Sequence, residues 1–172
     1  VMNARIYTQR QTGGAVEILV TKLIDDQHCL AMVRPSRRIK PNEIFSFDSF
    51  QIQCLHREEA LWMLRCTPSV HDVMEKAGEI PIPPYFNRRA TPEDQERYQS
   101  IFAKNMGAVA ASTAILNLNE QLIAELKAKG ISFSTVTLHI GTGTFAPLRE
   151  EQIVQKKLHS EWFSIPQQTV DE

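Results

Sequence analysis

The hydrophobic period of this chain changes after Cys66, and that change limits what it can fold into. Up to Cys66 the pattern has a period of two. Val16, Ile18 and Val20 alternate with Glu17, Leu19 and Thr21, and Asp25-Asp26-Gln27 reads as a turn before a returning strand from Cys29 to Arg34. Arg34-Pro35-Ser36-Arg37-Arg38 breaks that strand, and Ile44 to Phe47, Gln51 to Leu55 and Ala60 to Cys66 read as further short strands. Their spacing predicts an antiparallel barrel or sandwich. After Cys66 the period becomes helical. Val70, Val73, Met74 and Ala77 stand at i, i+3, i+4 and i+7, and Gly78 closes that short helix. Pro81, Pro83 and Pro84 then impose an extended connection, where the boundary between two units belongs.

Beyond it the signals alternate between helix and strand. Thr91-Pro92-Glu93-Asp94 is a helix start: a capping hydroxyl, a proline at the first helical position, and two acids at the positive end of the dipole. The stripe Tyr98, Ile101, Phe102 and Met106 predicts that this helix runs over 92–106, until Gly107. A second helix is predicted over 120–129, capped by Asn119, stapled by Leu118 and Ile123, and ended by Gly130. Val136, Leu138 and Ile140 then alternate as a buried strand. The expected fold class is therefore α+β and multidomain: an antiparallel β-barrel over 1–77, then part of an α/β domain over 78–172.

Composition narrows the function. The net charge of the 172 residues is −1, so any nucleic-acid contact must come from a local patch. Cys29, Cys54 and Cys66 lack metal-ligand spacing and sit in apolar, strand-like contexts, which predicts buried free thiols in a reducing cytosol. The longest small-apolar run, Ala108 to Leu116, falls short of the roughly 20 residues that cross a bilayer.

The residues with chemistry gather late in the chain. Thr137-Leu138-His139-Ile140 leads into Gly141-Thr142-Gly143-Thr144-Phe145, so an imidazole arrives at a strand's carboxyl end beside a turn of glycines and hydroxyls. His139 is either a hydrogen-bonded structural histidine or a group that positions substrate or moves a proton. His159 and Glu161, two apart, would share one side of an extended segment, as an acid/base pair or as a polar edge. No metal set is expected. Arg34, Arg37, Arg38 and Lys40 form one basic turn. Arg88 and Arg89, beside Tyr85 and Phe86, form another. Each is either a solvated loop or an RNA-facing patch. Glu17, after Thr12-Gly13-Gly14, is a strand-edge charge or an orienting carboxylate.

Taken together, Gly13-Gly14-Ala15-Val16-Glu17, Gly78-Glu79-Ile80-Pro81-Ile82-Pro83-Pro84-Tyr85, Arg97-Tyr98-Gln99, Gly107 to Ala111, Thr137 to Phe145 and His159-Ser160-Glu161-Trp162 resemble one family, in this order and spacing. It is that of the S-adenosylmethionine:tRNA ribosyltransferase-isomerases of queuosine biosynthesis. The resemblance covers nearly the whole chain. It implies an α/β domain carrying an inserted β-barrel, in a protein about twice this length, with segments missing at both ends here. It implies ribosyl transfer from S-adenosylmethionine to 7-aminomethyl-7-deazaguanine at the wobble position of a tRNA with a GUN anticodon. The sugar is isomerised to the epoxycyclopentane of epoxyqueuosine, and adenine and methionine leave. His139, His159 and Glu161 are then the catalytic candidates. Gly141, Thr142, Gly143, Thr144, Phe145, Tyr98, Gln99 and Thr113 are the substrate-binding candidates, and Arg34, Arg37, Arg38, Arg88 and Arg89 the tRNA-binding ones. A cytoplasmic monomer is expected, with no metal and no membrane contact.

The chain also departs from the family pattern. Ser112, Ile115 and Asn117 stand where proline, glycine and histidine are usual, and Asn3, Ala146 and Lys156 where proline, arginine and histidine are usual. Asn117 can hydrogen-bond but cannot exchange a proton near neutral pH. The competing reading is a non-catalytic or degenerate RNA-binding fragment of that family.

Overall fold

The computed structural model describes residues 1–47, 49–145, 148 and 150–171, without the side chain of Phe145. The chain divides into two compact units, Met2–Pro81 and Val1 with Ile82–Glu172.

The first unit is one seven-stranded antiparallel sheet. Its strands are β1 (Arg5–Gln9), β2 (Ala15–Leu23), β3 (His28–Arg34), β4 (Ile44–Ser46), β5 (Gln51–Glu58), β6 (Leu61–Thr67) and β7 (Gly78–Glu79). Their spatial order is β4-β5-β6-β3-β2-β1-β7. Alternation sets the buried face: Val16, Ile18 and Val20 are buried on β2, and Cys29, Ala31 and Val33 on β3. Leu19 is buried as well, and a bulge between Val20 and Lys22 shifts the register against β3. Helix α1 (Val70–Ala77) covers the sheet with Val70, Val73 and Met74. Ser69 caps it: its hydroxyl accepts the Asp72 N–H at 3.0 Å and donates to the Asp72 carboxylate at 2.5 Å.

Gly78 ends α1 for a reason the sequence did not show. Its backbone is extended, so no left-handed turn demands glycine. A Cβ there would stand 3.0 Å from the Asn3 carbonyl carbon, and closer still to the carbonyl oxygens of Asn3 and Met74. Close approach of two backbones excludes a side chain.

The expected barrel is not closed. Closure would require β4 to pair with β7, and among the described residues it does not. These edge strands hold three and two residues, too few for a closing ladder, so the sheet stays open with short edges. The Glu17 carboxylate lies 3.2 Å from Arg5 Nε, a diagonal cross-strand pair. All three cysteines are free and buried. Burial pushes the Cys54 thiol up to about 12, and the Cys66 thiol together with burial raises Cys29, so both stay protonated and unreactive.

The second unit holds helices α2 (Pro92–Arg97), α3 (Glu120–Ala128), α4 (Glu150–Gln155) and α5 (Gln167–Asp171), and an antiparallel pair, β8 (Thr137–His139) with β9 (Trp162–Ser164). Local chemistry sets the helix starts. Thr91 and Asp94 form a reciprocal capping box, and the Asn119 side chain accepts the Leu122 N–H at 2.8 Å. After α3, Gly130 is left-handed. Its N–H donates to the Lys127 carbonyl and that of Ile131 to the Leu126 carbonyl, a Schellman ending.

Two expectations fail here. The helix predicted over 92–106 stops at Arg97, because Tyr98 leaves helical geometry and is buried. Ile101, Phe102 and Met106 are 44%, 37% and 54% exposed, so no packed surface rewards extending the helix through them. The strand predicted around Val136 to Ile140 is not buried either. Among the described residues it pairs on one side only, and Leu138 is 48% exposed.

Candidate functional site

The end of β8 is anchored by neighbours distant in sequence. The Ile140 carbonyl accepts the Val109 N–H at 2.8 Å and the Ala110 N–H at 3.2 Å, and both donors belong to buried residues. The Asn105 amide donates to the Thr137 hydroxyl at 3.0 Å. Segment 105–110 therefore lies beside β8 and delivers Gly107 to His139.

His139 is held by shape more than by hydrogen bonds. Its ring lies 4.5 Å from the Trp162 ring, centroid to centroid, at 30°. Gly107 lies against the same ring: a Cβ there would come within 2.7 Å of Nε2 and closer to Cε1 and Nδ1. His139 Nε2 is buried with no hydrogen-bond partner among the described residues. Buried polar atoms are almost always paired, so an orphan imidazole nitrogen is where a bound group can complete the set.

His159 mirrors this arrangement. It lies against Gly143, whose Cβ would fall 2.6 Å from the ring Nδ1 and closer to Cγ and Cδ2. His159 Nε2 is 3.4 Å from Glu161 Oε1, and the same oxygen accepts the Gly141 N–H at 3.1 Å. One carboxylate thus ties the glycine turn, a short 3-10 helix over Thr142–Phe145, to the segment leading into β9. Both side chains of the pair are partly exposed, at 39% and 31%. Ligand atoms can reach them from solvent.

The structure thus brings together His139, Gly141, Gly143, His159 and Glu161, and places Thr142 and Thr144 in the same turn. Phe145 closes that turn by its backbone; its side chain and Ala146 lie outside the described residues. The other substrate-binding candidates make contacts of their own. Tyr98 is buried at the end of α2, and the Gln99 amide donates to the Val1 carbonyl at 2.7 Å. Thr113 is exposed, and its carbonyl accepts the Asn117 amide at 3.4 Å. Sequence reasoning missed Gly107 as a contact of His139, reading it as a helix stop and as part of the family pattern. It missed Trp162 too, whose one signal was its place directly after His159-Ser160-Glu161.

The arginines divide. Arg34, Arg37 and Arg38 are exposed where β3 ends in a 3-10 turn, Arg34 standing opposite Glu17 in the ladder. Arg88 is engaged: it makes a two-pronged ion pair with Asp94 at 2.5 and 2.9 Å and lies over the Phe86 ring at 5.4 Å. That guanidinium holds the Asp94 carboxyl well below the usual carboxylate range. Arg89 is exposed, and its carbonyl accepts Arg88 Nη1 at 3.0 Å. Beside them Tyr85 and Phe86 stack at 5.2 Å and are 69% and 49% exposed. Among the described residues no three His, Cys, Asp or Glu side chains are placed to hold a metal ion, and no helix is long and apolar enough to cross a membrane.

Comparison with known proteins adds two findings. The family model described as queuosine biosynthesis protein matches residues 1–172. Among solved structures, the chain is similar to an S-adenosylmethionine tRNA ribosyltransferase from Thermotoga maritima. The two are 21% identical, the match covers 99% of this chain and 42% of that one, and the TM-score is 0.40. The chain thus spans less than half the length of that relative.

Proposed function

Because this chain belongs to the queuosine biosynthesis protein family, we propose that it serves a tRNA-modifying transferase-isomerase that takes S-adenosylmethionine as ribosyl donor. The acceptor is the aminomethyl group of a 7-deazaguanine at the wobble position of a tRNA with a GUN anticodon, and the product is epoxyqueuosine. The observation that carries this reading is the cluster at the end of β8. It holds two imidazoles, a carboxylate and a glycine turn, and one imidazole nitrogen is buried without a partner among the described residues.

The positive sulfonium acidifies the C5′ protons beside it, so the reaction needs a base near that carbon that works close to neutral pH. A neutral imidazole supplies one. His139 takes a C5′ proton through Nε2, and the electron pair stays on the carbon next to sulfur. Trp162 and Gly107 fix the ring for that step. His159, paired with Glu161, is the second group able to hold or return a proton. Thr142 and Thr144 offer hydroxyls to ribose oxygens, and the backbone N–H groups of their turn offer further donors. Arg37 and Arg38, both exposed, supply the charge for tRNA phosphates.

The test is adenine release from S-adenosylmethionine in the presence of tRNA bearing the aminomethyl base. His139→Ala should lower it about 10²–10⁴-fold with the fold intact. Unchanged release removes His139 from the mechanism. A specific feature favours the second reading, a non-catalytic RNA-binding module: the exposed Tyr85–Phe86 stack beside Arg88 and Arg89 suits unstacked bases. tRNA retention without S-adenosylmethionine binding or adenine release would establish that module instead.

A further inference from the structure

We propose that Gly107 and Gly143 are positioning residues, each keeping open the space in which one imidazole of the site lies: Gly107 for His139 and Gly143 for His159. The inference rests on the functional reading above for its importance to catalysis, but its geometry stands apart from that reading.

Two glycines 36 positions apart stand in the same relation to two histidines 20 positions apart. At each, a single methyl group would overlap three ring atoms at distances no Cβ contact tolerates. Each imidazole ring is rigid, so the conflict cannot be relieved by bending a flexible tail. It is relieved by turning the ring away. For His139 that means leaving the Trp162 ring and moving the unpartnered Nε2. For His159 it means leaving Glu161, whose carboxylate would keep only the Gly141 N–H. Among the described residues Nε2 finds no hydrogen bond that would fix the ring, so steric room beside it defines its place. A displacement of about 1 Å at a reacting group can cost about 10²-fold in rate.

The two positions differ usefully. Gly107 has φ of +150°, so any side chain there also strains the backbone. Gly143 has no such φ, so Gly143→Ala tests steric room alone. The experiment compares Gly107→Ala, Gly143→Ala, His139→Ala and the double variant Gly107→Ala/His139→Ala, using two readouts.

The first readout is the proton NMR spectrum of the histidine rings, with each signal assigned by its His→Ala variant. His139 protons near Trp162 carry a ring-current shift. Gly107→Ala should abolish it, and Gly143→Ala should move the His159 signals and leave those of His139 in place. Unmoved signals in the folded variants overturn the proposal, whether or not the protein is an enzyme. The second readout is adenine release. Gly107→Ala alone should cost about 100-fold. In the His139→Ala background it should add less than about threefold, because the ring it displaces is gone. An equal loss in both backgrounds would make Gly107 a backbone residue only and overturn its positioning role. A wild-type chain that releases no adenine, with the ring signals moving as stated, defeats the enzymatic reading and supports the seating of the rings.

Discussion

The two units bury their apolar residues to very different degrees. In Met2–Pro81, among the described large apolar side chains, only Leu23 and Ile24 are exposed, at 37% and 45%. Ile6, Ile18, Phe45, Ile52, Leu64 and Val73 are almost fully enclosed. In Ile82–Glu172 the buried set is small, chiefly Ile82, Tyr98, Val109, Ala110, Ala111 and Ile123, while Met106, Leu138, Val154, Trp162 and Phe163 are about half exposed or more. The sheet draws its order from side chains meeting across many strands. The second unit draws it from caps, one Schellman ending and a three-residue ladder. The candidate site lies in the second unit, and segments that bind ligands commonly come from the less consolidated part of a protein.

Each unit has one tryptophan, Trp62 at 3% exposure and Trp162 at 55%, so single-tryptophan variants can follow the two separately in urea. The largest effect expected is from Leu64→Ala. It removes a fully buried side chain at the centre of the sheet and should destabilise the Trp62-reported transition by about 2–5 kcal/mol. Leu138→Ala, on the half-exposed β8, should move the Trp162-reported transition by less than about 1 kcal/mol. Equal losses would erase the contrast.

Ser69→Ala comes next. It deletes the α1 cap and should cost about 1 kcal/mol at the Trp62 transition. The smallest effect concerns acid. Glu43 accepts Arg10 Nε at 2.6 Å and Nη2 at 3.2 Å, and the Lys40 N–H at 3.0 Å. The Arg10 hydrogen bonds hold its carboxyl below the usual range. A depressed folded-state value means that the stabilisation is complete above about pH 4.3 and is lost as pH falls through the folded value. Arg10→Met should flatten the acid limb of stability by about 1 kcal/mol or less in pH-dependent melting. A variant as acid-sensitive as the wild type would show that other carboxylates govern that limb.

The same contrast explains what the sequence could reveal. Thr91 with Pro92, Asn119 and Gly130 act within four or five residues, and each did what its local chemistry dictates. The helical stripe through Ile101, Phe102 and Met106 depended on a surface to pack against, which periodicity cannot supply. Barrel closure depended on edge strands more than 30 residues apart, which remain open. At the site, the nearness of His159 to Glu161 was legible from their spacing, and the place of His139 from the strand before the glycine turn. The contacts of Gly107 and Trp162 with His139 were not, since they span 32 and 23 positions and arise only when β8, β9 and segment 105–110 assemble.

The most direct test is hydrogen exchange, read residue by residue, with and without S-adenosylmethionine. New protection is expected over 139–145 and 159–162, with the amides of β2, β3 and β6 unchanged. Protection confined to the sheet, or none over 139–145 at saturating S-adenosylmethionine, would contradict it.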